Sequence, residues 1–286
     1  MPELPEVETI RRGLEKYIVG KSIKSVDIRL KKIFRGDPDL IIGLRVIGVR
    51  RYGKGLVIDL SNDYSIAVHV KMTGQFVYQG KETLNNFHPK LGLPEVLPSK
   101  HTHVIFRFKS KINDESLVLF YNDIRQFGWI NVAKTSEVLS LPFFKSLGQE
   151  PFRDLSLWLF KKILSSSSMP IKPLLMDQNK ISGVGNIYAN DALYGSGIDP
   201  RRPGKSLGSR ESSRLYKVLL EVLQRGIDYG GASEINYINV EGKKGSYQDH
   251  FLVYGRAGIP CTSCKTPIKR IVQSGRSTFF CPVCQA

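Results

Sequence analysis

Four cysteines constrain this chain more than any other feature. All lie in the last 26 of 286 residues, at Cys261, Cys264, Cys281 and Cys284, and the preceding 260 residues carry none. Their spacing, C-x2-C-x16-C-x2-C, is that of a four-thiolate zinc site, in which two knuckles bring two sulfurs each to one tetrahedral ion. Sixteen intervening residues suffice for a short hairpin. Four thiolates leave no open coordination position, so the expected cofactor is one structural Zn2+ per chain. Two disulfides or a redox CxxC are the competing readings. A disulfide framework would spread its cysteines through the fold, and the opening residues carry no export signal.

The rest of the chain allows one large domain or two ordinary ones. With 41% hydrophobic and 24% charged residues it can bury a real core. Lys and Arg number 42 against 26 Asp and Glu, a formal net charge of +16. Such an excess selects for a polyanionic partner: nucleic acid first, an anionic membrane surface second. A merely soluble basic protein is the third reading. No apolar run approaches the roughly 18 residues of a membrane span, and MPELPEVETI lacks the basic and apolar regions of a signal peptide. A cytoplasmic protein with no membrane partner is therefore expected.

The first residues read as a helix. Pro5 suits the first turn, Glu6 and Glu8 favour the positive end of the helix dipole, and Val7, Ile10, Leu14 and Ile18 recur at helical spacing before Gly20. From about Ile23 to Val132 the pattern changes to short β-type runs: SIKSVDIRL, LRVIGVRRY, GLVIDL, SIAVHV, GQFVYQ, THVIFRF, SLVLFY and GWINVA. Asn62-Asp63 and Ser110-to-Asp114 read as turns, and residues 79 to 100 as the longest irregular stretch. So many short strands favour a sandwich or barrel. After about residue 134 the spacing is helical, in LSLWLFKKILSS, KPLLMD, NIYANDALYG and SRESSRLYKVLLEVLQRGIDYG. Residues 230 to 255 are polar and glycine-rich, the pattern of a mobile loop. Seven basic residues and one acid, Asp249, lie between Lys243 and Ala286. The fold class is thus α+β and multidomain, divided at 1–133, 134–229, 230–250 and 251–286.

The opening is acidic in a basic protein: Glu3, Glu6 and Glu8 precede the first base, Arg11. If Met1 is removed, the Pro2 ring nitrogen becomes a free secondary amine. An α-amino group titrates near ~8, so a useful fraction is unprotonated at neutral pH and can attack a sugar C1′ to give an iminium. Glu3 is placed to move protons. A plain helix start with dipole-favoured acids explains the same residues.

MPELPEVETIRRGL closely resembles the start of bacterial formamidopyrimidine-DNA glycosylase, a repair enzyme for oxidised purines. The resemblance continues through RRYGKGL at 50–56, HVKMTG at 69–74, KHTHV at 100–104, DIRQFG at 123–128, IKPLLMD at 171–177, ISGVGNIYA at 181–189, VYGR at 253–256 and the cysteine segment with Arg276. These blocks are collinear and span the chain. The resemblance implies an N-terminal helix with a β-sandwich, a helix–two-turn–helix domain and a C-terminal zinc-finger hairpin. It also implies a monomer clamping damaged double-stranded DNA, with the target base flipped out so that C1′ can be reached.

By the same resemblance Pro2 is the nucleophile, Glu3 the proton-transfer residue and Glu6 its support. Lys54 corresponds to a lysine assisting β-elimination, and Arg276 to an arginine linked to δ-elimination. Met72, Arg125 and Phe127 match the trio that fills the vacated stack. The chemistry is apt, since Met and Phe can wedge between bases while Arg hydrogen-bonds the orphaned partner. Lys172 and Asn186, with His69 and His101, are the candidate phosphate contacts. The loop 230–250, containing EGKKGS, resembles the lesion-recognition loop.

Three stretches depart from the pattern. SSSSMP stands before IKP where lysines are usual, Ile124 and Gln126 stand where Pro and Arg are common, and 79–100 matches no block. Affinity and opposite-base preference depend on these more than the chemistry does. Two other readings remain. The related endonuclease-VIII branch, specific for oxidised pyrimidines, typically begins PEGPE rather than PELPEVE. A non-catalytic zinc-ribbon DNA-binding protein would use the N-terminus only as a helix.

Overall fold

The computed structural model describes all residues except 81–82, 84–95, 110–116 and 235. Most of the irregular stretch 79–100 and the Ser110-to-Asp114 turn therefore lie outside the described residues. Two compact units are present: Met1–Lys145 with Tyr229–Ser246, and Ser146–Asp228 with Tyr247–Ala286.

The first unit opens with α1 (Leu4–Ile18). A capping box starts the helix: the Glu3 side chain accepts an N–H of the first turn, and the Glu6 side chain accepts the Glu3 N–H. Val7, Ile10, Leu14 and Ile18 are all buried, as their spacing requires. Every β-type run forms a strand: β1 (Ser22–Ile28), β3 (Val46–Tyr52), β4 (Gly55–Leu60), β5 (Tyr64–His69), β6 (Gly74–Gln79), β7 (Thr102–Lys109), β8 (Leu117–Asp123) and β9 (Trp129–Lys134). The two-residue β2 (Phe34–Arg35) is an addition without its own sequence signal.

The strands form a four-stranded sheet, β1-β7-β8-β6, and a five-stranded sheet, β2-β9-β5-β4-β3. Alternate residues of both sheets, such as Phe76, Tyr78, Val104 and Phe106 of one and Leu56, Ile58, Ile66 and Val68 of the other, enter one core with the apolar face of α1. Of the sandwich and barrel that so many short strands allow, this is the sandwich, as the family resemblance implies. Pairing of β6 with β8 sets Gly74 opposite Asp123 and so brings the segments flanking these residues together.

Residues 229–246 form no helix or strand among their described positions, but they are not a free loop. Tyr237, Ile238 and Val240 are buried, and the Tyr78 N–H donates to the Val240 carbonyl at 2.9 Å.

The second unit holds α3 (Leu157–Ser165), α4 (Ile171–Met176), α5 (Asn186–Gly195) and α6 (Ser209–Asp228), following the short α2 (Pro142–Lys145) of the first. Its zinc-finger hairpin is β10 (Lys269–Gln273) paired antiparallel with β11 (Arg276–Phe280). Helix α5 anchors the C-terminal part of this unit. The Asn190 side-chain oxygen accepts the Phe279 N–H at 2.7 Å, and the buried Asp191 carboxylate accepts the N–H groups of Leu252, Val253 and Tyr254.

Candidate active site and nucleic-acid interface

Pro2 and Glu3 immediately precede α1, and both are buried. The Glu6 carboxylate fixes this start from two sides. One oxygen accepts the Glu3 N–H at 2.7 Å; the other accepts the Ala232 N–H at 2.8 Å from the 229–246 segment. The buried Tyr237 hydroxyl adds a contact to the Glu6 carbonyl at 3.3 Å. The backbone bearing Pro2 and Glu3 is thus held by a carboxylate that also holds the loop. With Met1 in place the Pro2 nitrogen is an amide, so nucleophilicity requires its removal.

Lys54 sits in the β3–β4 turn and is 4% exposed. His69, at the end of β5, is buried against the Trp129 and Phe143 rings. Its Nδ1 accepts the Lys71 N–H at 2.9 Å. Burial, with the Lys71 and Lys54 charges, pushes the His69 pKa down to about 3. The ring is therefore neutral at physiological pH, and its position is interior rather than that of a cationic phosphate contact. His101 is half-buried; its carbonyl accepts the Asp123 N–H and its own N–H donates to Ser99 Oγ.

The structure brings the three wedge candidates together. Met72 is 42% and Phe127 55% exposed. The Arg125 guanidinium lies 4.8 Å from the Phe127 ring centroid, and its Nη1 is 3.0 Å from the Met72 sulfur. Asp123, fully buried, organises this cluster. Its carboxylate accepts the Arg125 N–H at 3.2 Å, the Gly128 N–H at 2.7 Å and the Thr73 hydroxyl in a short contact. Gly128 is required here, because a Cβ would lie 1.8 Å from the Tyr121 hydroxyl. Sequence reasoning missed Asp123; an acid ending an apolar strand five residues before a glycine was the available signal.

In the second unit, Asn186 is the first residue of α5 and follows Gly183-Val184-Gly185. The backbone N–H groups of a first helical turn lack intrahelical acceptors and suit a phosphate. Gln178, also missed, builds this turn by accepting the Gly183 N–H at 2.9 Å and donating to the Val184 carbonyl at 2.7 Å.

Lys172 departs from the surface position expected of a phosphate contact. It is 1% exposed, and its ammonium donates to the Ser277 carbonyl at 2.7 Å and the Thr278 hydroxyl at 2.8 Å. It pins β11 beside Arg276, which is exposed at the start of that strand.

The four cysteine sulfurs lie within 4.8 Å of one another, with Cys261 and Cys284 3.8 Å apart and Cys264 and Cys281 3.4 Å apart. Zn–S bonds of ~2.3 Å in a tetrahedron require sulfurs roughly 3.8 Å apart, so the set fits one Zn2+. The cysteines are unbridged, which removes the disulfide reading.

Comparison with known proteins agrees with this geometry. Residues 1–130 match the formamidopyrimidine-DNA glycosylase N-terminal domain, 147–236 its H2TH domain, and 258–286 a zinc finger found in this glycosylase and in IleRS. The formamidopyrimidine-DNA glycosylase of Heliobacterium modesticaldum is 40% identical over the whole of both chains. That of Rickettsia africae is 39% identical over 100% of this chain and 99% of its own.

Among solved structures, a complex of the Lactococcus lactis Fpg with DNA containing an abasic site is similar with a TM-score of 0.85 and 32% identity, covering 99% of each chain. The MutM (Fpg) protein of Thermus thermophilus is similar with a TM-score of 0.85 and 34% identity, over 99% of this chain and 98% of that one. Sandwich, H2TH helices and zinc finger in this order, with identity along the full length, make this chain a member of the formamidopyrimidine-DNA glycosylase family.

Proposed function

We propose that this protein is a bifunctional DNA glycosylase and abasic-site lyase of base excision repair, acting as a monomer in the cytoplasm on 8-oxoguanine and formamidopyrimidines in duplex DNA. The observation carrying this reading is the Pro2-Glu3 pair at the buried, doubly anchored start of α1, in a chain matched throughout by the family. The PELPEVE opening favours oxidised purines over the endonuclease-VIII alternative.

After loss of Met1, the Pro2 nitrogen lone pair attacks C1′ of the flipped nucleotide and the glycosidic bond breaks. The released base takes a proton, and Glu3 serves the proton transfers that open the sugar and form the iminium. Abstraction of a C2′ proton, assisted by Lys54, then expels the 3′ phosphate; a second elimination, assisted by Arg276, expels the 5′ phosphate. A one-nucleotide gap with phosphates at both ends results, and hydrolysis of the iminium frees Pro2.

Met72, Arg125 and Phe127 fill the hole in the stack, and their exposed, clustered placement supports this role. Asn186 and the amides at the start of α5 are the proposed phosphate contacts. The burial of Lys172 supports a role in holding the finger instead. Zn2+, held by Cys261, Cys264, Cys281 and Cys284, keeps the hairpin folded and takes no part in the chemistry. The basic surface makes binding salt-dependent, with log K falling by roughly 0.9 per neutralised phosphate per log unit of salt.

Borohydride trapping on 8-oxoguanine, formamidopyrimidine and oxidised-pyrimidine duplexes tests this directly. A covalent adduct on the purine lesions, lost in Pro2→Gly, is expected. No adduct with the wild type would defeat the enzyme reading, and a preference for pyrimidines would move it to the endonuclease-VIII branch.

A further inference from the structure

The segment 232–243 is tied to α1 at both ends of the helix. Near the N-terminus the tie is the Glu6 carboxylate on the Ala232 N–H at 2.8 Å. Near the C-terminus it is Glu241, whose carboxylate accepts the Tyr17 hydroxyl at 2.5 Å and the Lys16 ammonium at 3.3 Å, while Lys243 pairs with it at 2.7 Å. Hydrogen bonds from Lys243 and Tyr17 hold the Glu241 pKa down to about 2, so the clasp stays ionised throughout the physiological range.

Packing reinforces the charge. Asn239 Oδ1 accepts the N–H groups of both Glu241 and Lys243, closing a tight turn that aims the carboxylate at α1. Val240 is fully buried over Gly13, where an added Cβ would lie 2.9 Å from the valine side chain. Tyr17 in turn stacks on Tyr78 with centroids 4.8 Å apart, and Tyr78 donates its N–H to the Val240 carbonyl. Between the two ties, Ser233 Oγ donates to the Tyr237 carbonyl and Gln75 to the Asn236 carbonyl.

We infer that Glu241 is a positioning residue for base excision: clasped to Tyr17 and Lys16, it fixes the lesion-contacting loop to the helix that Pro2 and Glu3 lead into. This rests on the reading of 230–250 as the loop that meets the extruded base. A 15-residue helix is a rigid ruler of roughly 22 Å, so clasping the loop to both of its ends sets loop and nucleophile in one frame. Glu241 touches no reacting atom in this assignment. Its effect appears only when a base must be held against attack at C1′, where small misplacements are costly. A preformed abasic site has no base to hold, so its cleavage is indifferent to the clasp.

The test compares wild type, Glu241→Gln and Tyr17→Phe in single-turnover reactions on 8-oxoguanine duplex and on duplex with a preformed abasic site. Glu241→Gln is expected to slow base excision about tenfold while abasic-site cleavage stays within about twofold. Tyr17→Phe, which removes only the hydroxyl, shows the same split with a smaller loss. Equal loss on both substrates would reveal a merely structural residue, and no loss on either would remove the clasp from the reaction; each overturns the assignment. Wild-type protein that cleaves abasic DNA but leaves 8-oxoguanine intact would instead defeat the functional reading itself, a result visible before any variant is made.

Discussion

The Glu6 carboxylate accepts the backbone N–H of Glu3 at 2.7 Å, so the proton-transfer candidate is held by an acid one helical turn away. The other Glu6 oxygen accepts the Ala232 N–H. Removing the carboxylate in Glu6→Ala leaves two N–H groups without this acceptor, at a cost of about 1–3 kcal/mol for each that stays buried and unsatisfied. A lowered melting temperature and slower borohydride trapping are expected together. Glu6→Gln keeps one acceptor oxygen and should fall between the two proteins in both measurements.

Nucleophilicity at Pro2 depends on a free terminus. Inserting one Ala between Met1 and Pro2 turns the ring nitrogen into an amide that cannot form an iminium. Trapping should drop below detection while lesion-duplex affinity, read by fluorescence anisotropy, stays within about threefold, a change of under ~0.7 kcal/mol. Intact-protein mass spectrometry of the active wild type should show Met1 absent.

The proposed wedge residues Met72 and Phe127 are exposed, so their loss should separate stability from function. Met72→Ala and Phe127→Ala should shift unfolding free energy by no more than about 0.5 kcal/mol, as for other surface substitutions. Excision from duplex should nevertheless fall, while cleavage of an abasic site in single-stranded DNA, where no stack needs filling, should not. Equal effects on both substrates would deny them a wedging role.

Burial of neutral His69 has a pH signature. Its pKa is about 3 in the folded protein against an ordinary value of 6.5, so between these values the unfolded chain binds the proton and the folded one does not. Stability due to this site is complete above about pH 6.5 and is lost progressively as pH falls towards 3. At pH 4 the loss is on the order of 3 kcal/mol. His69→Gln should flatten this part of the acid limb in urea melts, because the amide has no proton to gain.

Zinc should be present at one ion per chain by elemental analysis. Cys281→Ser leaves three thiolates and is expected to release the ion, freeing the hairpin on which Lys172 closes at Ser277 and Thr278. Duplex affinity should fall at least about tenfold, ~1.4 kcal/mol, with a shallower salt dependence as the Arg276 strand ceases to be presented.

Local pattern carried a large part of this protein. Cysteine spacing determined the zinc site, because two CxxC knuckles each fix two ligands within four residues. Helical spacing of Val7, Ile10, Leu14 and Ile18 determined α1, because side-chain direction within a helix follows from its own repeat, and short β-type runs set off by turn residues determined eight of the nine sandwich strands.

What local pattern cannot carry is proximity between residues far apart in the chain. Met72 meets Arg125 only because β6 and β8 pair in a register that sets Gly74 opposite Asp123. Lys172 reads as a surface cation, and only its hydrogen bonds to Ser277 and Thr278 of β11 turn it into a buried pin. Residues 230–255 read as a mobile glycine-rich loop, and only Glu6, Gly13 and Tyr17 on α1 decide that its first part is clasped. Propensity is a property of neighbours in sequence, whereas burial and hydrogen-bond partners are set by whichever distant element closes over a side chain. The residues proposed to react are therefore named by the sequence, while the contacts that hold them in place belong to the tertiary structure alone.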